Sequence, residues 1–391
     1  MPSVFIAPER KKKLRELAKT MNRQNVMPVP AIAPVVELLD YDITDQDLDR
    51  LLLLGTRART VENISTVWGV DATEGAKQVE SLVRQGFLWP EEGISNDTKF
   101  QLTAVVVGWL EFQLCAGQKT SQSKEFSRRL ENLFAVLKKG NRFPIRNLGN
   151  FATKLFMKPY QSVAPAGPAD KTGRVVSVNQ IVQADSLAMP IHDAYEMVDR
   201  HGDNDHVALL HCFCRHWRRL MDDPCRFDLP AESCMVVGPM AEAVVKYDYG
   251  KKIAKKEALK YMEELAGAGV IHTLFHERDD TSLPNVAVCN CCWDCCGLYG
   301  GFNRGAVALY FKSRYLARVS DPDSCKACKK CVKHCPTDAI ILQDDQVEIQ
   351  GGKCIGCGQC ALQCPTNTIC LDPNVRDVMV PMPKLSQVRI R

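Results

Sequence analysis

Two runs of cysteine constrain this chain more than any other feature. Cys325, Cys328, Cys331 and Cys335 are followed by Pro336, and Cys354, Cys357, Cys360 and Cys364 repeat the same spacing before Pro365. The two halves align without a gap, Pro-Thr-Asp-Ala-Ile-Ile-Leu over 336–342 against Pro-Thr-Asn-Thr-Ile-Cys-Leu over 365–371. Three thiols at such short intervals wind a loop around one centre, with the intervening backbone N–H groups turned towards it. Proline after the fourth cysteine biases that residue towards extended backbone, which carries its thiol away from its own loop. Each loop then feeds a short apolar strand, so this part must fold as an internal repeat built around something that takes eight thiolates.

Eight thiolates at this spacing are the ligand set of two cubane 4Fe–4S clusters, which pass single electrons. Zinc usually takes separate pairs of ligands with a longer insert, a poor match to these runs. Residues 320–372 resemble the bacterial two-cluster ferredoxin, a small α+β domain of two pseudo-symmetric halves, at all eight cysteines and both prolines. The resemblance implies crossed ligation, the fourth cysteine of each run serving the other run's cluster. Cys325, Cys328, Cys331 and Cys364 then hold the first cluster, and Cys354, Cys357, Cys360 and Cys335 the second. The first loop carries Ala327, Lys329, Lys330 and Lys333, whereas the second has Gly356 and Gly358. Positive charge favours a reduced cluster, so the cluster under the first loop is expected to have the higher potential. Cys370, aligned with Ile341, reads as a buried side chain rather than a ninth ligand.

A length of 391 residues suggests two to three domains, and 46% hydrophobic with 25% charged residues is ordinary soluble composition. The longest apolar stretches, Leu51–Leu54 and Ala104–Leu110, fall far short of the roughly 18 residues a membrane span requires. Met1–Pro8 has neither the apolar core of a signal peptide nor a twin arginine, so a cytoplasmic location is expected. There, nineteen cysteines argue for metal binding over disulfides, and the oxygen sensitivity of exposed cubane clusters points to anaerobic-type metabolism. A net charge of +4 gives no overall bias towards nucleic acid.

Along the chain the reading is α+β and multidomain. Residues 1–40 are a basic arm and Pro-rich linker, with Pro28, Pro30 and Pro34 following a short basic helix at 9–24 read as solvated. Residues 41–104 are winged-helix-like: helices at Asp45–Leu54, Val61–Trp68 and Ala72–Gln85, then strands around Phe87–Trp89 and Phe100–Leu102 flanking a turn-rich loop. A winged helix suggests DNA, but Asp71, Glu74 and Glu80 outweigh Lys77 and Arg84 on the recognition helix and phosphates would be repelled. Docking or packing is the expected role. Residues 105–173 form a helical connector containing Cys115, read as a buried thiol, and a Pro/Ala/Gly-rich linker at 159–173. A cysteine-rich module covers 174–315, the ferredoxin domain 316–375 and a tail 376–391.

The module holds nine cysteines that the ferredoxin repeat does not explain: Cys212, Cys214, Cys225, Cys234, Cys289, Cys291, Cys292, Cys295 and Cys296. It resembles a cysteine-rich module found beside ferredoxin domains in iron–sulfur proteins of anaerobes, and Cys295-Cys296-Gly297 resembles the Cys-Cys-Gly step of disulfide-reducing iron–sulfur enzymes. Neighbouring side chains diverge in helix and strand, so adjacent cysteines do not comfortably face one metal atom together. One division puts Cys212, Cys214, Cys225 and Cys234 on one site and Cys291, Cys292, Cys295 and Cys296 on another, with Cys289 spare; a mixed site drawing on both segments stands equally. An additional Fe–S cluster is favoured over a structural zinc, a reactive dithiol or buried thiols. Arg215, Arg218 and Arg219 are placed to neutralise cluster charge. Among His192, His201, His206, His211 and His216, the two flanking Cys212–Cys214 are the ones to test as ligands or proton carriers.

Val236-Val237-Gly238-Pro239 offers one glycine where a dinucleotide fingerprint needs three, and no phosphate-binding glycine loop is present. The chain is therefore expected to be an electron-transfer protein or subunit of a larger complex, exchanging electrons with a redox partner protein, rather than a stand-alone catalyst. The rivals are an Fe–S oxidoreductase with its active centre at 212–296 and a redox-responsive winged-helix regulator.

Overall fold

The computed structural model describes residues 5–23, 29–91, 93–141, 187–189, 191–202, 206–276 and 286–390. Proline starts helix α1 (Pro8–Asn22), whose Leu14, Leu17, Ala18 and Met21 fall on one face and are fully buried. The solvated arm expected here is instead a packed helix, because an i, i+3, i+4, i+7 apolar stripe runs between its lysines. It packs against α2 (Ala33–Leu39) and α3 (Asp45–Leu54). Arg10 locks that corner, donating to Asp40 at 2.6 Å and to the Ile43 carbonyl at 2.7 Å. Pro34 belongs to the first turn of α2; Pro28 lies outside the described residues.

Caps set the next three helices. Thr44, Thr60 and Asp71 accept backbone N–H groups in the first turns of α3, α4 (Val61–Trp68) and α5 (Ala72–Arg84). Strands β1 (Arg59–Thr60), β2 (Leu88–Pro90) and β3 (Lys99–Leu102) make an antiparallel sheet in the order β1-β3-β2. The end of α5 is tied to the middle of the chain: Arg84 pairs with Asp248 at 2.9 Å, and the Tyr249 hydroxyl donates to the Val83 carbonyl at 2.7 Å. Helix Ser121–Gly140, opened by a Thr120/Ser123 capping box, packs against both α2 and helix Phe213–Leu220. One apolar core thus runs from α1 to Leu210, Trp217 and Tyr249, and the N-terminal part is not a separate body from the cysteine-rich part. The linker expected at 159–173 lies outside the described residues.

The middle of the chain is an antiparallel sheet of β4 (Leu187–Met189), β5 (Val207–His211), β6 (Glu232–Val237), β7 (Lys251–Lys252), β8 (Ile271–His276) and β9 (Val286–Cys291), in the order β4-β8-β9-β6-β5-β7. Alternation divides its residues between two faces. Val207, Leu209, Met235, Val237, Leu274 and Val288 share a core with residues of helices Ile191–His201 and Lys255–Gly267, while Ala208 and Leu210 turn into the N-terminal core. Cys234, Cys289 and Cys291 stand on this second face, at register positions next to Met235 and Val288.

Two long strands, β10 (Leu309–Val319) and β13 (Ile369–Val380), pair from Leu309↔Val380 to Val319↔Ile369. Between them in sequence lie the hairpin β11 (Ile340–Gln343) and β12 (Gln346–Ile349) and the short helices Lys330–His334 and Gln359–Leu362. The expected boundaries shift accordingly: this strand pair begins inside the span assigned to the cysteine-rich module and ends inside the expected tail. Beyond it the chain folds back. Arg389 lies 3.6 Å from the centroid of the Trp293 ring and donates to the Cys335 carbonyl at 2.7 Å and the Lys333 carbonyl at 2.8 Å. No helix among the described residues is long and apolar enough to cross a membrane.

Candidate iron–sulfur centres

Two cavities lie within the C-terminal part, each bounded by four cysteines. Cys325, Cys328, Cys331 and Cys364 line one, and Cys335, Cys354, Cys357 and Cys360 line the other. Each quartet therefore takes its fourth member from the other run. Cys335 leaves its helix in extended conformation ahead of Pro336. The repeat reaches into the backbone: Ala327 (φ 48°) and Lys329 (φ 61°) match Gly356 (φ 71°) and Gly358 (φ 75°), and Asp338 (φ 50°) matches Asn367 (φ 52°). A left-handed conformation costs a residue with a Cβ roughly 1–2 kcal/mol, so the first loop holds its shape against local preference. At Gly356 a Cβ is excluded outright, since it would stand 2.5 Å from both the Ser313 Oγ and the Tyr315 carbonyl oxygen.

The quartets differ in exposure and charge. Cys335, Cys354, Cys357 and Cys360 are all buried, whereas Cys328 is exposed and Cys325 and Cys364 are half-buried. Burial pushes the thiols of Cys335, Cys357 and Cys360 up. Burial acts in the same direction on Cys364, but hydrogen bonds from Thr368 (3.2 Å) and Thr366 (3.6 Å) outweigh it and bring that thiol down to about 7. Lys326, Lys329 and Lys330 border the first cavity; Ile340, Ile349 and Ile355 border the second.

Residues 317–365 match the family of 4Fe-4S dicluster domains. The C-terminal part is a 4Fe–4S ferredoxin-type domain. It carries at least one iron–sulfur cluster, and the donor set suits such a group: thiolates are its ligands, and each quartet is too widely spaced to close on one ion, since neither holds three sulfurs within 4.8 Å of one another. No curated protein and no solved structure matches the chain.

Beside the ferredoxin-type domain, the nine cysteines of the middle part sort into two groups that do not follow the chain segments. Cys212 neighbours Cys234, Cys234 neighbours Cys289, Cys289 neighbours Cys291, Cys291 neighbours Cys296 and Cys296 neighbours Cys214, each thiol shifting the ionisation of the next, so that six sulfurs form a continuous run. Cys225, Cys292 and Cys295 form the other group, with sulfurs 3.4 Å (Cys225–Cys292) and 3.0 Å (Cys292–Cys295) apart. The division by segment is thus replaced by the mixed one, and Cys289 is not spare. The physical reason is the sheet: β6 and β9 are neighbours, so Cys234 meets Cys289 and Cys291 on one face, and helix Phe213–Leu220 brings Cys212 and Cys214 over it.

Arg215 lies between the groups, fully buried. It donates to the Pro230 carbonyl and, at 2.6 Å, to the Ser233 hydroxyl. Burial works against its charge, but Cys212, Cys295, Cys292 and Cys234 overcome that and hold the guanidinium protonated. The other arginines do different work: Arg218 pairs with Glu131 at 2.7 Å and with Asp223, and Arg219 donates to the Leu229 carbonyl at 3.2 Å. His216 bonds through Nε2 to the Gln118 carbonyl at 2.8 Å, and burial lowers its pKa. His206 pairs with Glu242 at 3.1 Å. Among the described residues no histidine joins a compact ligand group with the thiols; the side chains of His192 and His201 lie outside them. Cys115 is buried as expected, yet it also neighbours Cys234 closely enough to feel its charge, a proximity no local spacing reveals. Cys370 is half-buried, its Sγ 3.6 Å from the Arg318 carbonyl.

Proposed function

We propose that the chain is an iron–sulfur electron-transfer protein, or a subunit of a larger redox complex, working in the cytoplasm in anaerobic-type metabolism. The ferredoxin-type domain holds two 4Fe–4S clusters, the first on Cys325, Cys328, Cys331 and Cys364 and the second on Cys354, Cys357, Cys360 and Cys335. A third Fe–S centre sits on the run Cys212, Cys214, Cys234, Cys289, Cys291 and Cys296. Six sulfurs in sequence, of which no three are compact enough for one ion, are suited to a multi-iron group.

The observation that carries this reading is the core shared by the buried quartet and the six-thiol run. Ile355 and Cys357 share a core with Trp293, Cys296 and Tyr299, and the Tyr299 hydroxyl is raised first by burial and then by the charges of Cys291, Cys296 and Cys357. Electrons would pass between the middle centre and the buried cluster, then to the exposed cluster, where Lys326, Lys329 and Lys330 form the rim a redox partner meets. The N-terminal part, winged-helix-like in its helix-strand-helix-helix-strand-strand order, serves as a scaffold whose α5 docks inward.

Iron and acid-labile sulfide per chain test the cluster count, with about twelve irons expected and about eight limiting the clusters to the ferredoxin-type domain. Cys331→Ser should damage the exposed cluster and halt reduction of the partner while leaving the buried cluster's signal. Full iron content with unaltered electron transfer would refute the ligand assignment.

A further inference from the structure

We infer that Cys225, Cys292 and Cys295 hold a single divalent ion of the zinc class, separate from any cluster on the six-thiol run. The three sulfurs lie within 4.8 Å of one another and are buried. Thiolates sharing one tetrahedral ion at Zn–S of about 2.3 Å stand about 3.8 Å apart, close to the 3.4 Å and 3.0 Å separations here. Thiolates on different corners of a cube are held much farther apart. Among the described residues neither ferredoxin quartet nor any trio of the six-thiol run is so compact.

The local sequence explains why two sites arise. Cys291-Cys292 and Cys295-Cys296 are adjacent pairs, and successive side chains diverge; each pair sends one thiol to the six-sulfur run and the other to the trio. Cys292 and Cys295 also stand at the Cys-x₂-Cys spacing of zinc ligands, and the N–H of Cys295 points at the Cys292 Sγ from 3.3 Å. Three thiolates leave a divalent ion with one net negative charge, and the buried guanidinium of Arg215 beside Cys292 and Cys295 opposes it. Leu229, Leu265 and Val270 enclose the site.

Among the described residues no fourth Cys, His, Asp or Glu completes the group. Asp294, next in sequence, is turned to the Arg226 backbone N–H at 2.8 Å and to Arg304 at 3.8 Å. The fourth position falls to an exchangeable water. Three protein ligands and one open position are the pattern of reactive rather than structural zinc.

The test uses the full chain, purified without oxygen after production with both iron and zinc. About one zinc per chain is expected, and X-ray absorption at the zinc edge should count three sulfurs near 2.3 Å and one lighter atom. Cys225→Ala should lose at least nine-tenths of the zinc with iron content and cluster absorption unchanged, and Cys234→Ala should lose about a third of the iron, leaving about eight irons, with the zinc unchanged. Because a buried alanine variant can fail to fold, the coordination count on the unaltered chain stands by itself. A zinc-free protein, a four-sulfur count, iron falling with Cys225→Ala, or a Cys292–Cys295 disulfide detected by mass would each overturn the inference. Failure of the third-cluster reading looks different: about eight irons with the zinc intact.

Discussion

Gly356→Ala probes whether the cluster loops are shaped by their surroundings or by their own preferences. The alanine must adopt φ +71°, which costs roughly 1–2 kcal/mol. Its Cβ would also stand 2.5 Å from the Ser313 Oγ and the Tyr315 carbonyl oxygen. Neither atom moves freely: Ser313 is buried and donates to the Tyr315 carbonyl at 2.7 Å, and that carbonyl accepts Arg376 at 2.9 Å. Relieving the overlap adds about 1–3 kcal/mol, so the loop around Cys354 and Cys357 should be destabilised by about 2–5 kcal/mol. The repeat supplies the control, because Ala327 holds the equivalent position at φ 48° and Ala327→Gly relieves strain. Bleaching of cluster absorption under a chelator, without oxygen, reads the effect, and 1.4 kcal/mol corresponds to about tenfold in rate. Gly356→Ala should bleach at least about tenfold faster, and Ala327→Gly no faster than the unaltered chain. Equal rates for Gly356→Ala, or acceleration by Ala327→Gly, would refute the reasoning.

Lys329→Glu with Lys330→Glu should lower the midpoint of the exposed cluster and leave the buried one in place; two unmoved midpoints in a redox titration would contradict the charge assignment. Arg215→Met removes the buried charge between the two thiol groups and should cost about 3–5 kcal/mol, seen as a lower urea midpoint and reduced iron retention, whereas a variant of normal stability and iron content would show that the thiols need no counter-charge. His272 is fully buried, donates Nδ1–H to Asn290 at 2.6 Å, and is lowered by burial to about 4. Its folded value lies below the unfolded value of about 6.5, so its contribution is complete above that pH and is lost as pH falls to 4, by roughly 3 kcal/mol in all. His272→Gln should flatten stability across that window, and an unchanged acid slope would rule this origin out.

Short-range signals were legible in the sequence. Apolar spacing located α3, α4 and α5, and the x₂-x₂-x₃-Pro runs marked the ferredoxin-type domain. What stayed hidden depends on contacts between distant segments. The nine middle cysteines sort by strand order, which puts Cys234 beside Cys289, fifty-five positions on, and Cys225 beside Cys292. The packing of α1 is hard to read locally, because its lysines and arginines surround the i, i+3, i+7 spacing of Leu14, Leu17 and Met21 that buries it. Domain boundaries moved for a related reason, since β10 and β13 extend past the cysteines that advertise the domain.

The packing of helix Ser121–Gly140 has an electrical consequence. Its Phe134 packs against Trp217, ring centroids 4.8 Å apart and tilted by 41°, and would lie 3.6 Å from a Cβ at Gly297, where the same Cβ would be 3.4 Å from the Cys214 sulfur. The helix thus covers one side of the six-thiol run, with the sheet and its backing helices on the other. Electron tunnelling weakens steeply with distance, so in the proposed electron path such cover suppresses leakage to stray oxidants on that side and leaves the Tyr299–Cys357 side for transfer.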